Sequence, residues 1–157
     1  MLVVLAVLVA LFASARLRYS GMAPVKLPAV KCNADLWKHV YRPERLSIVE
    51  ACTAVAGRVV SVRRESDGDL HIALDPDHKS VLNLVNAMHA HGDLAVEVIC
   101  EHAPAHGDAI TACAGFNPQV TIPKVGDRVR VTGAYVTDRD NGWNEIHPVT
   151  SIETLGP

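Results

Sequence analysis

The stretch "CTAVAGRVVSVRRESDGDLHIALDPD", residues 52–77, decides the fold of this chain. It contains two runs that read as β-strands, and the turn sequence SDG at residues 66–68 separates them, which is typical of a β-hairpin. In the first run the apolar residues change phase between Val59 and Val60. A strand that changes its buried face midway must bend or bulge, as strands do where a sheet curls into a barrel. The hairpin therefore predicts a curled β-sheet.

The second and third predicted strands show the period of two that is expected for a strand with one buried face. In the second strand the predicted inward residues are Leu70, Ile72 and Leu74, and the predicted outward residues are His71, Ala73 and Asp75. The third strand lies in "DLAVEVIC", residues 93–100, with Leu94, Val96 and Val98 predicted inward and Ala95, Glu97 and Ile99 predicted outward. Both strands therefore have one apolar face and one face that carries polar side chains.

The rest of the chain supplies two more strands and short helical segments. A fourth strand is predicted in "PKVGDRVRVTGAYVTD", residues 123–138, and the Asn-Gly turn at 141–142 leads into a fifth strand. Helical spacing of apolar residues predicts short helices in 34–46 and 80–90, and a loop with one helical turn occupies 101–118. Together these elements predict a mainly β chain, a five-stranded Greek-key barrel with short helices, as one domain over 32–155.

Four segments also carry a resemblance to a known fold family. They are "VAGRVVSVRRESDGDLHIALD" at 55–75, "PKVGDRVRVTGAYV" at 123–136, and "LWKHVYRPERL" between two cysteines, with "GWNEIHPV" following at 142–149. The first two look like the first hairpin and fourth strand of oligonucleotide/oligosaccharide-binding (OB) folds. The whole arrangement resembles small exported bacterial OB-fold proteins whose function is not established. The resemblance implies an OB-fold and assigns no functional residues.

The N-terminus predicts export. Residues 1–15 form an apolar run that is too short for an ordinary membrane span, and Ala13-Ser14-Ala15 fits the small-residue pattern of signal cleavage. No basic residue precedes the run, and Arg16 follows it, so an uncleaved membrane anchor and a buried core helix are the alternatives. Residues 16–31 are predicted to be a flexible tether. The protein is therefore expected outside the cytoplasm, either secreted or anchored to the membrane.

An exported protein with an even number of cysteines is expected to contain disulfides. The four cysteines show neither a CxxC pair nor zinc-finger spacing, and they allow three connectivities. The favoured connectivity joins the nearest pairs along the chain, Cys32 with Cys52 and Cys100 with Cys113.

One predicted outer face concentrates polar side chains. In a barrel of this type the second, third and fifth strands are neighbours, and residues from adjacent strands on one face come close together. The predicted ligand-binding residues on this face are His71, Glu97, Trp143, Glu145 and His147. Two imidazoles and a carboxylate can also hold a divalent metal, so His71, Glu97 and His147 are candidate metal ligands. The structural alternative is a ladder of polar pairs on a solvated surface.

Composition and motifs narrow the function classes. The net charge is -2 and aromatic residues make up 4%, so a broad polyanion-binding surface is not indicated. The chain carries no GxxxxGK[ST], GxSxG or HExxH motif, and no catalytic residues or firm cofactor are assigned. We expect an exported binding module for an oligosaccharide, an oligonucleotide or an envelope protein. The alternatives are a metal-dependent hydrolase and a membrane-tethered interaction protein.

Overall fold

The computed structural model describes residues 30–156. The predicted signal or anchor segment at 1–15 lies outside the described residues, as does the predicted tether except for its last two residues. The chain is mainly β and forms one mixed sheet of five strands with a few short helices. The strands are β1 (Leu46–Arg64), β2 (Leu70–Pro76), β3 (Leu94–Val98), β4 (Arg128–Asp138) and β5 (Asn144–Thr154).

Every strand of the sheet has two hydrogen-bonded neighbours. The order is β1-β2-β3-β5-β4, and β4 pairs with β1, so the hydrogen-bonded order returns to its starting strand. All pairs are antiparallel except β3 with β5, which are parallel. The phase change predicted in β1 is confirmed, because the register with β2 shifts between Val59 and Ser61. β1 also shifts register twice against β4, which is the bending that a long shared strand needs.

The interior of this ring of strands is the main hydrophobic core. The predicted inward residues of β2 and β3 are all nearly inaccessible, at 4% exposure or less. Val129 and Val131 from β4 and Ile146 from β5 complete the same cluster. A second apolar cluster lies outside the ring, where Leu36 and Val40 pack on Ile99. Ile99 was predicted to face outward, and it does so, but Leu36 and Val40 of the segment before β1 cover it.

The helical segments are shorter than predicted. The segment 34–46 forms two 3₁₀ turns, Ala34–His39 and Pro43–Arg45, and Asn33 caps the first as expected. The segment 80–90 forms a 3₁₀ turn at Lys79–Val81 and helix α1 (Leu84–His89), which Asn83 caps. Its predicted apolar face is not buried, since Leu84 and Met88 are exposed and Asn86 is the buried residue. The helical turn predicted in 101–118 is α2 (Ile110–Cys113).

The favoured disulfide connectivity is confirmed. Cys32 is bonded to Cys52, and Cys100 is bonded to Cys113. The first bond ties the segment before β1 to that strand. The second ties the end of β3 to α2, and it therefore fixes the loop that connects β3 to β4.

No helix among residues 30–156 has both the length and the apolar character needed to cross a membrane.

Gly133 allows β4 and β5 to approach closely, and replacing it tests that packing. A Cβ atom at this position would lie 2.5 Å from the side chain of Ile146 and 2.5 Å from the carbonyl oxygen of Pro148. We expect Gly133→Ala to lower the free energy of unfolding by about 1–3 kcal/mol, because the added atom overpacks the strand pair. Urea denaturation measures this change.

The matched control is Gly107→Ala, because a Cβ at Gly107 meets nothing within 4 Å. Equal stability of the two variants would contradict the packing argument.

Candidate functional site

The register of the sheet places the predicted polar residues on one outer face. Arg63 of β1 lies opposite His71 of β2, and His71 lies opposite Glu97 of β3. Ala95 of β3 lies opposite Glu145 of β5, so Glu145 shares the face of Ala95 and Glu97. His147 follows two residues later on the same side. The shared face predicted from the alternation is therefore confirmed.

This outer face is buried, although a solvated face was one of the two expectations. The exposed fractions are 9% for His71, 8% for Glu97, and 1% each for Glu145 and His147. Trp143 is half-buried, and its ring lies edge-on to His71 with ring centroids 6.3 Å apart. The face is therefore not solvated, as the structural alternative expected, although His71 and Glu97 do form a cross-strand polar pair of the kind that this alternative describes.

Hydrogen bonds organise the buried residues into two pairs. Nδ1 of His71 donates to Oε1 of Glu97 at 2.7 Å. Nδ1 of His147 donates to Oε1 of Glu145 at 3.0 Å, and the indole nitrogen of Trp143 donates to Oε2 of the same carboxylate at 2.9 Å. Each imidazole thus has a carboxylate partner, which a buried charged group requires.

Asp69 is a member of the network that the sequence analysis did not identify. It follows the turn of the β1–β2 hairpin, and its side chain points to the end of β3, where Oδ1 accepts the backbone N–H of Cys100 at 2.8 Å. Its Oδ2 lies 3.9 Å from Nε2 of His147. Asp69 is only 3% exposed, whereas its neighbour Asp67 is partly accessible. Nothing in the local sequence distinguishes these two acidic residues.

Protonation of the two imidazoles is favoured. Burial by itself would lower the pKa of His71, but the hydrogen bond and the negative charge of Glu97 outweigh it and raise the pKa. The pKa of His147 is raised in the same way, against burial, by its bond to Glu145 and by the charges of Glu145, Glu97 and Asp69. Both residues are therefore held as imidazolium to a higher pH than a free histidine.

Asp69 also keeps its proton to an unusually high pH. Burial raises the pKa of Asp69 to about 7, and the positive charge of His147 opposes this rise without cancelling it. Asp67 and Glu97 add negative charge nearby and raise the pKa further. Near neutral pH this carboxyl can therefore exist in both protonation states.

Two polar atoms of the network have no hydrogen-bond partner among the described residues. They are Oε2 of Glu97 and Nε2 of His147, and both are inaccessible to solvent. An unpaired buried polar atom lowers the stability of the folded state by about 1–3 kcal/mol. Two such atoms in one cluster therefore make this part of the protein less stable than a fully paired network would be.

The geometry gives the predicted metal site no support. Within residues 30–156, three His, Cys, Asp or Glu ligand atoms lie within 4.8 Å of one another only at Asp69, Cys100 and Cys113. His71, Glu97 and His147 do not form such a set. Both cysteines of the set that does converge are in a disulfide, so they are not thiolate ligands.

Two surface cavities meet above the buried network. The larger has a volume of about 400 Å³, and the smaller has a volume of about 280 Å³. Arg63, His71 and Trp143 line both, so the two cavities form one continuous groove over these residues. Glu97 lines the larger cavity, whereas Glu145 and His147 lie beneath the surface and line neither. Of the five predicted ligand-contacting residues, the structure therefore brings three to the groove.

The two halves of the groove differ in chemistry. In the smaller half the floor is made of the small side chains of Ser61, Ala73 and Ala95, which stand side by side on β1, β2 and β3. His89, at the end of α1, and His91, in the loop that follows, lie at its rim and are exposed. The larger half is lined by charged side chains: Arg42, Arg45, Arg63, Glu65, Asp67, Glu97, Asp138 and Asp140.

Amide hydrogen bonds fix the position of Trp143. The side chain of Asn86 in α1 accepts the backbone N–H of Asn144 at 2.9 Å and donates to the carbonyl of Asn144, also at 2.9 Å. Asn83 donates to the carbonyl of Gly142 at 2.9 Å. The start of β5 is thus held on both sides of Trp143, which explains why the buried residue of α1 is an asparagine and not an apolar residue.

The raised pKa values predict that the protein is more stable in mild acid. A group whose pKa is higher in the folded state binds its proton more tightly there than in the unfolded state. Between the unfolded and the folded pKa, unfolding therefore releases the proton, and the stability of the folded state falls as pH rises through this interval. For Asp69 the interval runs from 3.8 to about 7, and for His71 and His147 it begins at 6.5. Between pH 5 and pH 8 we expect Asp69 alone to account for a loss of roughly 3 kcal/mol in the free energy of unfolding.

Urea denaturation of wild type and Asp69→Asn at several pH values measures this loss. Asparagine keeps an oxygen for the N–H of Cys100 and does not titrate, so the variant should show a flatter dependence on pH. Parallel curves for the two proteins would contradict the assignment of a raised pKa to Asp69.

Comparisons with known proteins do not place the chain in a family. A scan against protein-family models found no match, and a search of the curated proteins found no significantly similar sequence.

Proposed function

We propose that this protein is an exported binding module of the OB class, and that it binds oligosaccharides in the groove over β2, β3 and the start of β5. The observation that carries the proposal is the position of the groove, between the β1–β2 hairpin and the β4–β5 hairpin on the outer face of the sheet.

The strand order supports the OB class. An OB-fold is a five-stranded Greek-key barrel, and its ligands lie on the face of strands 2 and 3 between the loops that join strands 1 to 2 and 4 to 5. Here the order β1-β2-β3-β5-β4, the parallel pairing of β3 with β5 and the short α2 between β3 and β4 all agree with that class.

The lining of the larger cavity matches the usual ligand position of an OB-fold. Glu65 and Asp67 come from the loop between β1 and β2, and Asp140 and Trp143 come from the loop between β4 and β5. His71 and Glu97 provide the strand face between these loops. A concave site with a few convergent polar groups is the usual form of a ligand pocket.

The charge of the groove favours a sugar over a nucleic acid. The larger cavity is lined by three guanidinium groups and five carboxylates. Arg42 is paired with Asp140, Arg45 with Asp138 and Arg63 with Glu65, so the guanidinium groups are already neutralised. The charged side chains of the larger cavity that lie outside these three ion pairs are Asp67 and the His71–Glu97 pair. A polyanion needs free cations to neutralise its phosphates, and this groove offers none among the described residues.

Trp143 and the small residues beside it provide a surface for a sugar ring. The indole is fixed by its bond to Glu145, so an apolar face is presented to the groove without loss of side-chain entropy on binding. Ser61, Ala73 and Ala95 leave space beside it. Carboxylate oxygens at the other end can accept hydrogen bonds from hydroxyl groups.

The two disulfides support export. Disulfide bonds persist in oxidising compartments and are rare in reducing ones.

A ligand panel tests the proposal directly. We expect neutral oligosaccharides to bind, and single-stranded DNA not to bind even at low salt, because the groove lacks free cations. Calorimetric titration of glycan and DNA panels measures both. Binding of DNA at an affinity similar to that of the glycans would overturn the charge argument, and binding of neither would leave a protein partner as the ligand.

Filling the groove tests its position. We expect Ala73→Phe to weaken oligosaccharide binding by more than tenfold, because the larger ring occupies the floor of the smaller cavity. The control is Ala54→Phe, which changes a half-buried alanine of β1 that lines neither cavity. Unchanged binding by Ala73→Phe, with both variants folded, would place the ligand elsewhere.

A further inference from the structure

The geometry points to a second site, separate from the groove: the Cys100–Cys113 disulfide is a thiol–disulfide exchange site that accepts a protein cysteine thiol as substrate, with Asp69 as the proton donor to the sulfur of Cys100. Four observations support this assignment.

The first observation is that the disulfide is at the surface. Cys100 and Cys113 line an open cavity of about 390 Å³. Cys113 is half-buried, whereas Cys100 is only 6% exposed. An incoming thiolate therefore reaches the sulfur of Cys113, and the sulfur of Cys100 is the leaving group.

The second observation is a buried carboxyl group beside both sulfurs. One carboxylate oxygen of Asp69 and the two Sγ atoms all lie within 4.8 Å of one another. Among residues 30–156 no other cluster of this kind exists, and Cys32–Cys52 has no such neighbour. Because burial raises the pKa of Asp69 to about 7, this carboxyl still carries a proton near neutral pH.

The third observation concerns the groups that stabilise the products. A released Cys100 thiol would have an acceptor in place, since its Sγ lies 3.6 Å from the carbonyl oxygen of His39. The carboxylate left on Asp69 faces His147, whose Nε2 is 3.9 Å away and has no hydrogen-bond partner among the described residues. The other charged groups around Asp69 are Asp67 and Glu97, which favour its protonated form before the reaction.

The fourth observation is an apolar surface around the accessible sulfur. Ile110 is 55% exposed and lines the same cavity, together with Pro104 and Phe116. Glu101 and His102, whose side chains lie 3.4 Å apart, contribute a polar edge. A cysteine in an exposed apolar segment of another protein fits this surface better than a small charged thiol.

The reaction consists of two successive thiol–disulfide exchange steps. The substrate thiolate forms a bond to Sγ of Cys113, the Cys100–Cys113 bond breaks, and its electron pair goes to Sγ of Cys100, which takes the proton from Asp69. A second thiolate of the substrate then attacks the substrate sulfur of the mixed disulfide and releases the Cys113 thiolate, which takes a proton from water. The substrate dithiol is oxidised to a disulfide, and the pair Cys100 and Cys113 is reduced in a single turnover.

The experiment uses the oxidised protein and reduced glutathione as the probe. Aliquots are quenched with acid, free thiols are alkylated, and mass spectrometry follows each disulfide separately. We expect glutathione to be trapped on Cys113 and not on Cys100. With rates corrected for the thiolate fraction of glutathione, the wild-type rate at Cys100–Cys113 should fall about tenfold between pH 6 and pH 8.5, as Asp69 loses its proton.

Asp69→Asn is the decisive variant. It can keep the hydrogen bond from Cys100 and cannot transfer a proton, so its corrected rate should be about tenfold lower at pH 6 and should no longer fall with pH. A purely structural Asp69 would leave the pH profile unchanged in the variant. The Cys32–Cys52 bond in the same sample is the internal control, and its profile should be identical in both proteins.

Two results would overturn the assignment. One is a corrected wild-type rate at Cys100–Cys113 that does not change with pH; this measurement needs no variant and holds even if Asp69→Asn fails to fold. The other is a glutathione adduct on Cys100, which would reverse the roles of the two sulfurs. Neither result depends on whether the groove binds a sugar.

Discussion

The closed strand order constrains the side chains of all five strands. Once β1 pairs with both β2 and β4, the sheet has an inside that holds one alternating set of residues and an outside that holds the other. The inner set of β2 and β3 is wholly apolar, so the outer set must include every polar residue of those strands. His71 and Glu97 therefore meet because of the register, and Glu145 joins them because β5 is parallel to β3.

Burial of these outer side chains determines their protonation and their hydrogen bonding. Trp143 and the β1–β2 hairpin exclude water from groups that normally lie at a surface. Removing charges from water costs several kcal/mol for each ion, and for His71 the hydrogen bond and the negative charge of Glu97 outweigh that cost. An uncompensated cost of burial appears as the raised pKa of Asp69 and as two unpaired atoms. A cluster of this kind is weak evidence for stability, and it is common where a protein binds or reacts.

Sequence reasoning predicted the elements whose local signals are strong. The alternation of Leu70, Ile72 and Leu74 and the two hairpin turns were sufficient for the strands and their faces. For the disulfides the sequence allowed three connectivities, and the favoured pairing of nearest cysteines is the one that forms. Sequence reasoning failed where tertiary contacts override the local pattern. Leu84 and Met88 have helical spacing, yet α1 is held to β5 by the amide of Asn86, and no periodicity reports such a contact.

The same limit applies to the candidate site. Alternation predicts that Glu145 and His147 point outward, but it contains no information on what covers them, and burial changes their chemistry most. Asp69 is the clearest case, because only the three-dimensional meeting of the hairpin with the end of β3 distinguishes it from Asp67.

Asp69 also connects the groove to the disulfide. Its Oδ1 holds the backbone of Cys100, which has a φ of 53°, a left-handed conformation that is uncommon for a residue other than glycine. Its Oδ2 faces His147, whose partner Glu145 holds the indole of Trp143 in the groove. A change in the charge of Asp69 therefore acts on His147 by Coulomb attraction and reaches Trp143 through a single carboxylate. Because Asp69 and His147 are both buried, where electrostatic interactions are weakly screened, the charge on Asp69 acts on His147 with little attenuation by solvent.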